Sequence, residues 1–201
     1  MKAQQTRERI LAAAVAEFGA KGYAGARTAG IAARAGVNQQ LIAYHFGGKG
    51  GLLDELRRRW DARQSSIAPA GATFAETFAG YLDATLDEPA WARLVVWEAL
   101  GDRREDAGQE EHSRRSALEA RLQAGVERIR QRQRDGELSD RIEPEFVLLL
   151  SHLLAFAPIA MPQIVEGIFG VEPLSGEYRR RCREQLARIV APVSGTESEP
   201  S

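Results

Sequence analysis

Apolar side chains recur along this chain at intervals of three and four and almost nowhere at intervals of two. That pattern predicts helices rather than strands. Ile10, Leu11, Ala14, Val15 and Phe18 form one helical face, and Gly22 stops that helix. Thr28 is placed to cap a short second helix with Ile31, Ala32 and Ala35 on its buried side. Gly36-Val37-Asn38 reads as a tight turn, with Asn38 able to cap a third helix. That third helix is short and covers residues 39–46. A fourth, from about Lys49 to Ser65, carries Leu52, Leu53, Leu56 and Trp60 on one face and Arg57, Arg58, Arg59 and Arg63 elsewhere.

The stretch "SIAPAGAT", with Pro69 and Gly71, is the best candidate for a boundary, dividing the chain into residues 1–66 and 67–201. Beyond it the spacing predicts a helix through Phe74, Phe78, Tyr81 and Leu82, and a break at Pro89 that opens a tryptophan-rich helix. "GDRREDAG" reads as a polar loop, and a long charged helix runs from about Gln109 to Asp135, ending at Gly136. Pro144 opens a helix that is apolar nearly all round, which calls for burial on more than one side. Pro158 and Pro162 end or kink it. The last helix places Tyr178, Cys182, Gln185, Leu186 and Ile189 on one face, before a polar tail. The fold class is therefore all-α: an N-terminal three-helix helix-turn-helix domain and a larger helical domain.

Two short helices joined by a glycine-containing turn make a helix-turn-helix, whose second helix enters the major groove of DNA. At 100° per residue, about the α-helical step, Leu41, Ile42, His45 and Phe46 gather on one side of residues 39–46. They can pack on Phe18, Ile31 and Val37. Gln39, Gln40, Ala43 and Tyr44 gather on the other side and remain outside. A glutamine can bond adenine N6 and N7 together, and a small residue such as Ala43 allows close approach or contact with a thymine methyl. Tyr44 and Lys49 suit phosphate oxygens. The alternative reading makes Gln39 and Gln40 solvated surface amides, Tyr44 a half-buried aromatic and His45 a packed histidine.

Charge sharpens this picture. Residues 1–64 carry a net of +6 and the remainder −7, although the whole chain is near neutral at −1. A basic front and an acidic back suggest that the front meets a polyanion. Other features narrow the class. At 44% hydrophobic and 27% charged the chain can build a core. Its one cysteine, Cys182, excludes an internal disulfide and fits a reducing compartment. No apolar run is long enough for a transmembrane helix and no secretory signal is visible, so the reading is a cytoplasmic protein with no membrane partner. His45, His112 and His152 are scattered, and no metal-spaced cluster or phosphate-binding loop is present. No catalytic residue, metal or cofactor is expected.

The segment "RILAAAVAEFGAKGYAGARTAGIAARAGVNQQLIAYHFGGKGGLL" closely resembles the DNA-binding domain of the TetR family of transcriptional repressors. Roughly residues 7–53 carry the match: Phe18, Gly22-Tyr23, Thr28, Ile31-Ala32, Ala35-Gly36-Val37, Tyr44-His45-Phe46 and Lys49. The resemblance implies that Gln39 and Gln40 read bases, and that Thr28, Tyr44, His45 and Lys49 contact phosphate; Ala43 joins the base readers on its small size alone. Ala29-Gly30, Ala43 and Gly50-Gly51 depart from the family pattern. The resemblance further implies a homodimer built as a four-helix bundle, a double-stranded DNA operator and a small-molecule effector bound in the C-terminal helical domain.

Candidate effector-lining residues are Phe78, Tyr81, Trp91, Trp97, His152, Phe156 and Met161, which suggest a mostly apolar effector. Each is equally at home as plain core. The function these features imply is a sequence-specific DNA-binding regulator, a repressor released from a palindromic operator by its effector. The alternative is a helical interaction scaffold without specific DNA binding. An enzyme is a further alternative, resting on Cys182 among arginines, which could lower a thiol pKa.

Overall fold

The computed structural model describes residues 2–67, 71–101 and 108–192. The described residues form ten helices and no strand: α1 (Lys2–Gly25), α2 (Thr28–Ala35), α3 (Gln40–Phe46), α4 (Lys49–Ile67), α5 (Phe74–Asp87), α6 (Pro89–Ala99), α7 (Gly108–Arg134), α8 (Pro144–Ala160), α9 (Pro162–Phe169) and α10 (Gly176–Val190). The predicted loop at residues 101–108 and the polar tail from 193 onward lie largely or wholly outside the described residues.

Helices α1–α4 form a head around one apolar cluster that includes Ile10, Phe18, Ile31, Ile42, Phe46, Leu52 and Leu56. Phe18 is fully buried there, so truncating it to alanine should cost about 3–5 kcal/mol. Helix α1 turns at Gly22, the predicted stop, and a short helical stretch continues to Gly25. Gly36 closes α2 in the left-handed conformation at φ 62°, which only glycine adopts without strain. Helix α4 runs on through Ile67, two residues past the expected end, with Ile67 half-buried.

Helices α5–α10 form a body around a second cluster, with Phe78, Leu82, Val147, Tyr178, Cys182 and Leu186 among its buried members. Helix α8 lies at its centre, packed on α5, α6, α7, α9 and α10. A capping box opens α5: the Thr73 hydroxyl accepts from the Glu76 amide while the Glu76 carboxylate accepts from the Thr73 amide at 2.8 Å. Pro89, Pro144 and Pro162 each open a helix at its first turn. The break at Met161 turns the chain by 105° into α9, a separate helix that the spacing had not distinguished. Asp83 and Asp87 on α5 pair with Arg179 on α10, at 3.3 and 2.6 Å.

Two expectations need correction. Helix α10 buries Tyr178, Cys182, Leu186 and Val190, whereas Gln185 is exposed and Ile189 is half exposed. The buried row follows i+4 spacing, as it does when helices cross with i±4 ridges interleaved. Thr28 is the first residue of α2 rather than its cap; Arg27, in extended conformation, stands at the cap and offers no capping side chain.

The head and body meet along α1 and α6. Gly19 sits where the two backbones touch, and a Cβ at that position would fall inside van der Waals contact of the Ala90 carbonyl. The Trp97 indole donates to the Gly19 carbonyl at 3.3 Å, and Leu94 of α6 completes the head's own core. Arg57 of α4 donates to Glu98 of α6 at 2.7 Å, and Arg121 of α7 to Asp61 of α4 at 2.9 Å.

Candidate nucleic-acid interface

Helix α3 presents the surface that its sequence predicts. Ile42 and Phe46 are buried and Leu41 packs partly against the same cluster. Gln39, Gln40, Ala43 and Tyr44 are exposed, Tyr44 to 81%. Gln39 rather than Asn38 stands at the cap of α3; Asn38, one residue earlier, accepts through its Oδ1 from the Gln40 amide at 2.8 Å. The Gln39 side chain donates to the Thr28 hydroxyl at 2.8 Å, so the amide and the α2 start stand together at one edge of the surface. Gln40 stands on the same exposed face. His45 is half-buried and meets the Tyr44 ring edge-on at 5.0 Å. Lys49 reaches back over the Tyr23 ring at 4.3 Å, its ammonium 3.5 Å from the Ala24 carbonyl. It lies beside the recognition surface, joined to the α1–α2 corner.

Two arginines of α1, unremarked in the sequence, hold this unit in place. Arg9 donates to the Ala35 carbonyl, and to the Gly36 carbonyl at 3.2 Å, closing the open C-terminal end of α2. Arg7 donates to the His45 carbonyl at 3.3 Å, and its guanidinium lies over the Phe46 ring at 4.7 Å. Cations suit helix C-termini, where carbonyls lack partners. Arg7 also pairs with the buried Glu55 at 2.9 Å. Glu55 accepts from Arg59 at 3.1 Å, and Arg59 grips Glu8 through two bonds of 2.6 and 2.8 Å. Burial works against the Glu55 carboxylate, but hydrogen bonds from Arg7 and Arg59 hold it below its ordinary range. The Arg59 bond likewise holds Glu8 low. Arg7 and Glu8 on α1 stand far in sequence from Glu55 and Arg59 on α4, and only the fold brings the two pairs together.

Two of the departures from the TetR pattern, Gly51 and Gly30, have local reasons. A Cβ on Gly51 would run into the Phe46 carbonyl, so the glycine lets α4 begin directly against the end of α3. A Cβ on Gly30 would lie 2.7 Å from Oε1 of the buried Glu17, which pairs with Lys21 at 2.6 Å.

The seven candidate effector residues are spread over α5, α6, α8 and the break that follows α8. Phe78 and Phe156 belong to the body's core, and Tyr81 is half-buried on α5. Trp97 is committed to Gly19, and Met161 is exposed at the α8–α9 break. His152 is exposed on α8, its Nδ1 2.8 Å from the Leu148 carbonyl. Trp91 lies instead at the head–body joint, stacked on Trp60 at 5.4 Å and 22°. There it lines a cavity of about 280 Å³ among α1, α4 and α6, floored by Leu11, Val15 and Leu56 and edged by Arg59, Arg63 and Glu8.

On α8, Val147, Ala155, Pro158 and Ile159 are buried, while Phe146, Leu149 and Leu153 are more than half exposed. The helix thus buries one side and leaves an apolar seam on another. No single described helix is long and apolar enough to cross a membrane. Cys182 is buried, and burial pushes its thiol up despite the Tyr178 hydrogen bond and nearby Arg181. That is the opposite of the activation a nucleophile needs.

A short exposed helix bearing amides, locked behind a glycine turn and mounted on an all-helical body, defines a helix-turn-helix DNA-binding regulator. Residues 10–56 match the family described as bacterial regulatory proteins, tetR family, and residues 76–191 match the tetracyclin repressor-like C-terminal domain. The chain belongs to the TetR family of transcriptional regulators. It is similar to the HTH-type transcriptional repressor SCO4008 of Streptomyces coelicolor, 30% identical over 195 residues that cover 93% of this chain and 95% of that one. The crystal structure of SCO4942, also from Streptomyces coelicolor, superimposes with a TM-score of 0.72 at 25% identity, covering 92% of this chain and 98% of that one. The ketosteroid transcriptional regulator KstR2 of Mycobacterium tuberculosis shares the fold, with a TM-score of 0.70 at 18% identity over 92% and 94% of the two chains. Its relatives are regulators rather than enzymes.

Proposed function

We propose that this protein is a homodimeric, sequence-specific repressor, released from a palindromic operator by a small, mostly apolar effector. The exposed face of α3 carries the proposal. Gln39, Gln40 and Ala43 are the base readers; Thr28, Tyr44, His45 and Lys49 are the phosphate-contacting residues around them. Residues 1–66 are the DNA-binding domain and residues 67–201 the effector-binding and dimerisation domain.

The apolar seam of Phe146, Leu149 and Leu153 supports a second copy as partner, with half-exposed Ile189 on the neighbouring α10. A two-fold pair sets two copies of α3 about 34 Å apart, one turn of DNA. An effector that favours a different spacing of those helices lowers DNA affinity through its differential affinity for the two states. Phe78, Tyr81 and Phe156, buried or half-buried in the body, are the candidates for lining an effector site inside it.

The test is a binding titration with DNA from just upstream of the protein's own gene, at several salt concentrations, beside scrambled DNA of equal length. The expected result is tight binding that prefers the native fragment and weakens steeply with salt as counterions are released. No binding to either DNA at low salt would return the protein to the scaffold reading.

A further inference from the structure

The cavity at the joint of α1, α4 and α6 is not explained by DNA reading or by a site inside the body. Its volume of about 280 Å³ is just under the range of roughly 300–1,000 Å³ typical of drug-sized ligand sites. A one- or two-ring molecule suits it. The stacked Trp60 and Trp91 give it an aromatic wall, and Leu11, Val15 and Leu56 give it an apolar floor. Its edge carries the Arg59 guanidinium, paired with Glu8, and the Arg63 guanidinium, paired with Glu88.

The Arg59 guanidinium already holds a carboxylate in the geometry it would offer to a ligand. Both oxygens of Glu8 face it, at 2.6 and 2.8 Å, in the forked arrangement that suits arginine. Glu8 is 46% exposed and can rotate into water, whereas Arg59 is also held from the protein side by the buried Glu55. An exposed ion pair of this kind adds little stability, so exchanging one carboxylate for another is easy.

We propose that the cavity binds a small planar aromatic carboxylate, with its ring against Trp60 and Trp91 and its carboxylate taking the place of Glu8 on Arg59. The walls come from both sides of the joint: α1 and α4 belong to the head and α6 to the body. The same Arg59 is linked through Glu55 and Arg7 to the His45 carbonyl at the end of α3. Occupying the cavity therefore shifts the balance of head–body arrangements and weakens DNA binding. This second part rests on the DNA-binding function proposed for α3; the binding site itself does not.

The probes are 1-naphthoate and its uncharged counterpart 1-naphthalenemethanol, titrated by calorimetry into the full-length protein. Naphthoate is expected to bind once per chain, at least tenfold more tightly than the alcohol. Glu8→Gln removes the resident carboxylate and is expected to tighten naphthoate severalfold, while Arg59→Gln loses it. These opposite signs distinguish exchange at the fork from a general loss of folding, because the Glu8 variant must gain affinity. Equal binding of acid and alcohol, no heat with either wild type or Glu8→Gln, or unchanged affinity in Glu8→Gln would each overturn the site. A DNA titration with saturating naphthoate is expected to show at least tenfold weaker binding. Unchanged DNA affinity with naphthoate bound would overturn the coupling and leave the site standing. A protein that binds no DNA under any condition would sink the DNA reading, and the calorimetry would still decide the site.

Discussion

Helices α3 and α8 each bury one face, and they leave opposite residues outside. At α3 and its cap the outward side chains are Gln39, Gln40, Ala43 and Tyr44; on α8 the outward apolar side chains are Phe146, Leu149 and Leu153. The first surface is rich in hydrogen-bonding groups and sits on the basic part of the chain. It suits a partner that stays hydrated and charged. The second has little to offer except area, and suits a partner whose own apolar side chains need cover. The two surfaces should therefore respond differently to solution conditions. Salt weakens phosphate contacts by counterion competition but leaves an apolar contact intact.

The largest expected effect comes from breaking the apolar side. Leu149→Glu with Leu153→Glu should convert a dimer into a monomer, as read by sedimentation, and lower operator affinity at least a hundredfold because one reading helix remains per molecule. A double variant that stays dimeric would place the interface elsewhere. Next is the junction that supports the polar side. Gly51→Ala should destabilise the head by about 1–3 kcal/mol, the usual range for overpacking, measured by urea unfolding. An unchanged midpoint would show that α4 can draw back from Phe46 without cost.

The polar surface itself can then be divided. Gln40→Ala should remove about 1–3 kcal/mol of base discrimination while leaving non-specific affinity in place, read by competition between operator and scrambled DNA. Lys49→Ala should weaken all sequences alike and reduce the salt slope by about 1. If both variants behaved identically, the division into readers and positioners would fail. The smallest effect concerns pH. Glu8 and Glu55 are held below their ordinary range. Their contribution to stability is therefore present above the unfolded carboxylate pKa, about 4.3, and is lost as pH falls through the lower folded values. Thermal unfolding from pH 7 downward should show this loss, and Glu55→Gln should flatten it.

The head was largely legible in the sequence because its signals are local. Helical spacing of Ile31, Ala32 and Ala35, the Gly36 turn and the split faces of residues 39–46 all lie within one short window. Arg7 and Arg9 were not legible, because their acceptors lie 38 and 26 residues away and any arginine on a helix reads as a solvated charge. The body was less legible for a related reason. Aromatic residues at helical spacing report burial but not which neighbour they meet, so Trp91 gave no sign that it stacks on Trp60 rather than joining Phe78. Helix α10 shows the same limit in miniature: a shift of one residue in the buried row exchanges Ile189 for Val190.

The contact of Gly19 with Ala90 has a consequence for anyone building chimaeras from this protein. Two helix backbones meet there without side chains between them, and α6 also lends Leu94 to the head's core. A graft cut at the loop before α5 would expose that core and face Gly19 with whatever helix the new sensor supplied. The transferable unit is therefore α1–α4 together with α6, and a recipient must let its own sixth helix bring a backbone carbonyl as close to Gly19 as Ala90 does before the transplanted reader can seat.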